Sequence, residues 1–298
     1  MAVVETQELT KNYDGTTVVD HLNLSITEKE IFGLLGPNGA GKTTTILMLL
    51  GLTEPASGTA RVYGFDSTRQ PLEVKRLAGY LPERIGFYDN LTARENLKFI
   101  AQLNNISDAE SYGQISELLE IVGIGEVADV AVGKFSRGMK QRLGIADVLI
   151  KKPKVVFLDE PTSGLDPEGI NQILDLIANL PQVGTTVILC SHQLHQVQRV
   201  CHRVGILSKG KMVAEGSLDH LGREALAEGR YRIEVETTES SPQLVDIIQG
   251  IGGVIKVETK DNLLLINTDS DLRAEIAKIV VQTNIPLIQM KIHEFSLD

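Results

Sequence analysis

Apolar residues along this chain keep two different rhythms. "EIFGLLG" (residues 30–36) is an unbroken apolar run of strand length, and "GKTTTILMLLG" (41–51) behind it predicts a helix ended by Gly51. The first third as a whole reads as short strands punctuated by glycine. Residues 92–135 switch to helical spacing. Ile115, Leu118, Leu119 and Val122 stand at i, i+3, i+4 and i+7, one face of a helix. Thr92 with Glu95, and Ser107 with Glu110, have the spacing of a capping box, in which side chains satisfy free amides at a helix start. A helical insert is therefore expected at about residues 88–150.

From residue 154 strand-like runs alternate with helices: "KVVFLDE", a helix opened by Asp166-Pro167, "TTVILCS" and another helix. That alternation predicts an α/β fold with a mostly parallel sheet covered by helices. "VGILSKGKMVAEG" predicts a hairpin turning at Lys209-Gly210. After "GREALAEG" (222–229) the pattern reads strand (230–236), helix (242–250), strand (253–258), strand (263–267), helix (271–282), strand (286–292). This β-α-β-β-α-β order predicts a small α+β ferredoxin-like unit. The expected organisation is a first domain at 1–221, a linker at 222–229 and a C-terminal accessory domain at 230–298.

Charge then narrows the partners. The 298 residues carry a net charge of −10, which argues against a nucleic-acid surface, since binding a phosphate backbone needs dense Lys and Arg. A nucleotide is not excluded, because a few cations and backbone amides hold its phosphates. The two cysteines, Cys190 and Cys201, form no CxxC pair, so a cytosolic setting is expected. No apolar run approaches the ~18 residues of a spanning helix, and the first residues lack the basic and apolar regions of a signal peptide. If the protein works at a membrane, another chain supplies the membrane part.

Chemistry concentrates in two stretches. "GPNGAGKTT" comprises Gly36, Pro37, Asn38, Gly39, Ala40, Gly41, Lys42, Thr43 and Thr44, and fits the P-loop pattern G-x-x-x-x-G-K-[ST] between a strand run and a helix run. Its amides would face phosphates at a helix N-terminus, with Lys42 reaching the β and γ phosphates and Thr43 ligating Mg²⁺. "VVFLDE" (155–160) is an apolar strand ending in two acids. That fits a metal-bound Asp159 and a base, Glu160, that deprotonates the attacking water.

Five elements stand in a set order: "GPNGAGKTT", "YLPE" (80–83), "FSRGMKQR" (135–142), "VVFLDEPTSGLDP" (155–167) and "CSH" (190–192). In that order and spacing the chain resembles the ATP-binding cassette (ABC) family over residues 1 to about 220. The resemblance implies a P-loop NTPase cassette with a mixed-sheet core, dimerising head-to-tail around two ATP molecules. It implies that Tyr13 stacks on adenine and that Ser136 and Gly138 grip the γ-phosphate of the ATP on the opposite protomer. Asp166 would communicate across the dimer, and His192 would contact the γ-phosphate and sense hydrolysis.

Two departures from the family pattern stand out. Phe135, Arg137 and Met139 replace the usual Leu, Gly and Gln of the signature, leaving Arg137 either to help hold a phosphate or to face solvent. Glu83 replaces a Gln that reaches Mg²⁺ and the attacking water. It still offers a metal ligand, but an ionised carboxylate donates no hydrogen bond. The alternative is that Glu83 points away from the site. "IGFY" (85–88) beside it is either a docking surface for the family's membrane partner or packing for the helical insert.

Two function classes compete. In the first, the chain is an ATPase subunit that drives a separate membrane permease, in the export subgroup that "LPE" resembles. It would work as a homodimer or heterodimer of cassettes, with ATP and Mg²⁺, as a peripheral subunit on the cytoplasmic face of the membrane. The second is a soluble regulatory or translation ATPase. Such proteins usually join two cassettes or carry long coiled coils, whereas this chain has one uninterrupted cassette. Retained Lys42, Asp159 and Glu160 speak against an inactive cassette.

Overall fold

The computed structural model describes residues 2–218, 220–221, 231–239, 241–283 and 285–294. The expected linker at 222–229 lies outside the described residues. Contacts divide the chain into two compact units, Met1–Gly216 and Ser217–Asp298.

The first unit contains two sheets. Strands β1 (Ala2–Tyr13), β2 (Thr16–Thr27), β4 (Ser57–Val62) and β5 (Phe65–Asp66) form an antiparallel sheet in the order β2-β1-β4-β5. Strands β3 (Ile31–Leu35), β6 (Ala78–Leu81), β7 (Val155–Asp159), β8 (Thr186–Ser191), β9 (Arg203–Ser208) and β10 (Lys211–Gly216) form the second, in the order β10-β9-β3-β8-β7-β6. Its pairs are parallel except β9–β10. Every residue of β3, β7 and β8 is buried, which is why these strands read as continuous apolar runs rather than alternating ones.

The opening strands are not short. β1 and β2 are each 12 residues long, and their alternation is broken by register shifts on either side of Leu9. Glu8 (φ 49°) and His21 (φ 50°) adopt left-handed backbone near these shifts, the mark of bulges that turn a strand without ending it. A pattern search at strict period 2 therefore cuts each into pieces.

Helices α1 (Lys42–Leu49), α2 (Pro71–Leu77), α3 (Ala93–Leu103), α4 (Asp108–Ile121), α5 (Arg137–Leu149), α6 (Pro167–Asn179) and α7 (Leu194–Val200) complete this unit. Both expected capping boxes form. Thr92 accepts from the Glu95 amide and returns its own amide to the Glu95 carboxylate, and Ser107 does the same with Glu110. The apolar face of α4 is buried at Ile115, Leu118 and Leu119, with Val122 buried just beyond it. The β9–β10 hairpin turns at Lys209 (φ 49°) and Gly210 (φ 82°), the two left-handed residues of a type I′ turn.

The second unit runs β11 (Tyr231–Thr237), α8 (Pro242–Gln249), β12 (Val254–Lys260), β13 (Leu263–Thr268), α9 (Arg273–Gln282), β14 (Leu287–Glu294). Its antiparallel sheet has the order β12-β13-β11-β14. Ile233, Val235, Leu264 and Ile266 from the sheet share a core with Leu244, Ile248, Ile276 and Val280 from the two helices. This core is separate from the one under the first two sheets, which draws on residues between Val3 and Met212.

Candidate active site

Three buried strand ends and one helix start meet at one place. β3 delivers Gly36, and the loop from Gly36 to Gly41 turns the chain into α1 at Lys42. Gly41 has φ 103°, and a Cβ there would stand 2.5 Å from the Val18 carbonyl oxygen, so only glycine fits. Gly39, at φ 81°, borders open space and lines a cavity of about 300 Å³. The other residues lining it include Asn38, Lys42, Thr43, Thr44, Glu83, Asp159 and Glu160.

Lys42 is almost fully buried. Its ammonium donates to the Gly36 carbonyl at 2.6 Å and the Pro37 carbonyl at 3.3 Å, and stands 3.5 Å from Glu160 Oε1. The Thr43 hydroxyl donates to Asp159 Oδ2 at 2.7 Å. β7 presents Asp159, and Glu160 follows in a left-handed conformation (φ 49°), its amide donating a hydrogen bond to the Cys190 carbonyl at 3.0 Å. β8 ends at Ser191, and His192 Nδ1 meets Glu160 Oε2 at 2.9 Å.

Two oxygens are left over. Asp159 Oδ1 and Glu160 Oε1 are buried and have no hydrogen-bond partner. Glu160 Oε1 has the Lys42 ammonium at 3.5 Å but no hydrogen bond, and native interiors rarely leave buried acceptors without one, so the two oxygens mark a place built for an additional group. Burial pushes the Asp159 carboxyl above its ordinary range. The Thr43 hydrogen bond works against that rise, the charges of Glu160 and Glu83 add to it, and Lys42 opposes it. The chemistry of this set is hard oxygen donors beside one buried ammonium, which suits a cation bound to phosphate.

The remaining residues singled out in the sequence fall elsewhere on the first unit. Ser136 caps α5, its hydroxyl accepting from the Met139 amide at 3.2 Å. Ser136, Gly138 and Asp166 line a second cavity of about 750 Å³, larger than the one at the phosphate loop. Asp166 is the N-cap of α6 without a side-chain cap bond, so its carboxylate is uncommitted to the helix. Tyr13 is exposed at the end of β1, with the Lys11 ammonium 5.0 Å from its ring centre, and does not line either cavity.

Arg137 does something neither sequence reading foresaw. It is exposed, but it donates to the Ser163 hydroxyl at 3.4 Å, and a Cβ on Gly164 would strike its guanidinium at 2.2 Å. Arg137 thus lies against Gly164, 27 positions on, a contact no local pattern reveals. In "IGFY", Ile85 is half-buried and reaches α5, where a Cβ on Gly144 would stand 2.7 Å from its Cδ1. Tyr88 is 53% exposed and sits edge-on to Phe99, ring centres 5.3 Å apart. The cluster therefore divides: Ile85 packs and Tyr88 remains open.

Comparison with known proteins agrees with this geometry. A family model described as ABC transporter matches residues 19–163. The bacitracin transport ATP-binding protein BcrA of Bacillus licheniformis is 37% identical over 297 residues, covering 99% of this chain and 95% of that protein. The daunorubicin/doxorubicin resistance ATP-binding protein DrrA of Streptomyces peucetius is 35% identical over 276 residues, 93% of this chain and 80% of that protein. A solved ATP-binding subunit of an ABC transporter superposes with a TM-score of 0.68 at 31% identity, over 74% of this chain and 92% of that one. The chain belongs to the ABC transporter family, as an ATP-binding subunit that hydrolyses ATP.

Proposed function

We propose that this subunit powers a separate membrane permease that exports its cargo, docking as a peripheral subunit on the cytoplasmic face. Relatives named for bacitracin transport and for daunorubicin/doxorubicin resistance support the export direction. No described helix is long and apolar enough to cross a membrane, so the path for cargo belongs to another chain. In this reading residues 1–221 are the motor and 230–298 an accessory domain.

The observation that carries the catalytic reading is the pair of buried oxygens without a hydrogen bond, Asp159 Oδ1 and Glu160 Oε1, beside Lys42 and Thr43. Thr43, Asp159 and Glu83 would hold Mg²⁺, which when bound neutralises phosphate charge. Lys42 exchanges its contacts with the Gly36 and Pro37 carbonyls for the β and γ phosphates, and the loop amides at the start of α1 cradle the rest. Glu160 Oε1 takes the proton of the water that attacks the γ-phosphorus, while the bond from that phosphorus to the bridging oxygen breaks. His192 holds the other Glu160 oxygen, Oε2, and so keeps the carboxylate aimed.

Ser136 and Gly138 face a different cavity from Lys42. They would complete the site of a second cassette, so ATP acts as the glue of a head-to-tail pair. Tyr13, outside both cavities but exposed at the end of β1, would receive the adenine. The exposed ring of Tyr88, with Phe87 beside it, supplies a surface for the permease.

The test is Glu160→Gln. The variant is expected to bind ATP, to lose hydrolysis, and to elute as a dimer only with ATP present. Continued turnover would assign the proton to another group. Charged substitution of Phe87 and Tyr88 is expected to leave basal ATPase activity and abolish transport in reconstituted membranes. Unchanged transport would return both residues to packing.

A further inference from the structure

A line of amides leads away from the carboxylate pair. The hydroxyl of Thr162, buried in the turn after β7, bonds to Oε1 of Gln196, a buried residue on α7. Gln196 Nε2 donates to Gln193 Oε1 at 2.7 Å. Gln193 Nε2 lies 3.4 Å from His192 Nε2, and His192 Nδ1 lies 2.9 Å from Glu160 Oε2. Gln193 is itself fixed by its backbone amide, which donates to the Ser191 hydroxyl at 3.0 Å.

The direction of every bond follows from the Thr162 end. The Thr162 hydroxyl donates to Gln196 Oε1, and Gln196 Nε2 donates to Gln193 Oε1. That leaves the Gln193 amide nitrogen, which only donates, to face His192 Nε2, so Nε2 accepts and the ring proton sits on Nδ1, facing a carboxylate oxygen. Each link has one donor and one acceptor, with none left mismatched.

We propose that Thr162, Gln196 and Gln193 are positioning residues that lock the His192 ring in its Nδ1–H form against Glu160 Oε2, leaving Oε1 to face the attacking water. The inference rests on the reading of Glu160 as the base. Thr162 lies on the stretch that ends at Asp166, the N-cap of α6, so the chain also ties the imidazole to that stretch. The two amides are needed as amides. A carboxylate at 196 still accepts from Thr162 but has no proton for Gln193.

The experiment pairs kinetics with nitrogen NMR of histidine-labelled, nucleotide-free protein, the His192 signal being identified by its loss in His192→Ala. Thr162→Val keeps side-chain shape and removes the donor; Thr162→Ser keeps the donor. Thr162→Val, Gln196→Glu and Gln193→Leu are expected to lower kcat about tenfold with KM for ATP unchanged, the loss of one aligned hydrogen bond in the transition state. Each is expected to shift His192 from a single Nδ1–H form to a mixture, while Thr162→Ser retains both rate and form. A wild-type rate and an unchanged ring form in Thr162→Val would overturn the proposal. Should Glu160→Gln keep turning over, the base assignment fails, and the ring form in Thr162→Val still decides the chain: unchanged refutes it, mixed supports it.

Discussion

Glu160 is held at φ 49°, where a side chain crowds its own carbonyl, at a cost of about 1–2 kcal/mol. The cost falls at the residue assigned the proton, and the hydrogen bond from its amide to the Cys190 carbonyl keeps it there. Glu160→Gly is therefore expected to be more stable than Glu160→Ala by about 1 kcal/mol in urea unfolding, though both are inactive. Asp147, on α5, gives a second test. Burial pushes its carboxyl up to about 6, against a partial pull from Lys151. Because the folded chain holds that proton to higher pH than the unfolded one, stability is lost as pH rises from about 4 to 6. Asp147→Asn should thus stabilise the protein by about 2 kcal/mol at pH 7.5 and change little at pH 3.5, read from denaturant midpoints. Glu83 sits on the rim of the phosphate-loop cavity and raises the Asp159 carboxyl with its charge. Glu83→Gln is expected to leave ATP affinity intact and to raise the Mg²⁺ concentration for half-maximal turnover, since an amide oxygen is the weaker ligand.

Among elements, those fixed by neighbours in sequence were legible and those fixed by distant contacts were not. The capping boxes at Thr92 and Ser107, the α4 face and the Lys209-Gly210 turn depend on residues a few positions apart, and all were readable. The lengths of β1 and β2 were not, because bulges reverse the burial of successive side chains partway along. The phosphate loop and the Asp159-Glu160 pair could be read because their chemistry needs adjacent residues. Thr162 with Gln196, and Arg137 with Gly164, escaped because 34 and 27 positions separate each pair. Packing of Ile85 was one of the two readings of "IGFY", but its partner Gly144 escaped for the same reason. Gly144→Ala is expected to push the loop after β6 away from α5, since the new methyl meets Ile85 and Leu81 side chains at 2.7 Å. A drop in melting temperature and a changed response of turnover to Mg²⁺ would report it, because Glu83 rides on that loop. Thr92→Ala is expected to cost about 1 kcal/mol through the lost cap alone.

For the whole molecule, the separate core of the second unit implies that the first can stand without it. A chain ended at residue 229 is expected to fold, bind ATP and keep basal hydrolysis; aggregation of that chain would show that the accessory unit is needed for stability. In the head-to-tail pair proposed above, the placement of Lys42 and Ser136 at two different cavities has a consequence for mixtures. Pure Lys42→Ala and pure Ser136→Ala proteins each make pairs in which both sites are broken. Combine the two inactive proteins, and every hybrid pair gathers both lesions into one site and leaves the other whole. Random exchange would then restore about a quarter of wild-type activity from two dead samples. Activity recovered from two dead proteins is thus the expected sign of a pair of this chain in which each site is shared.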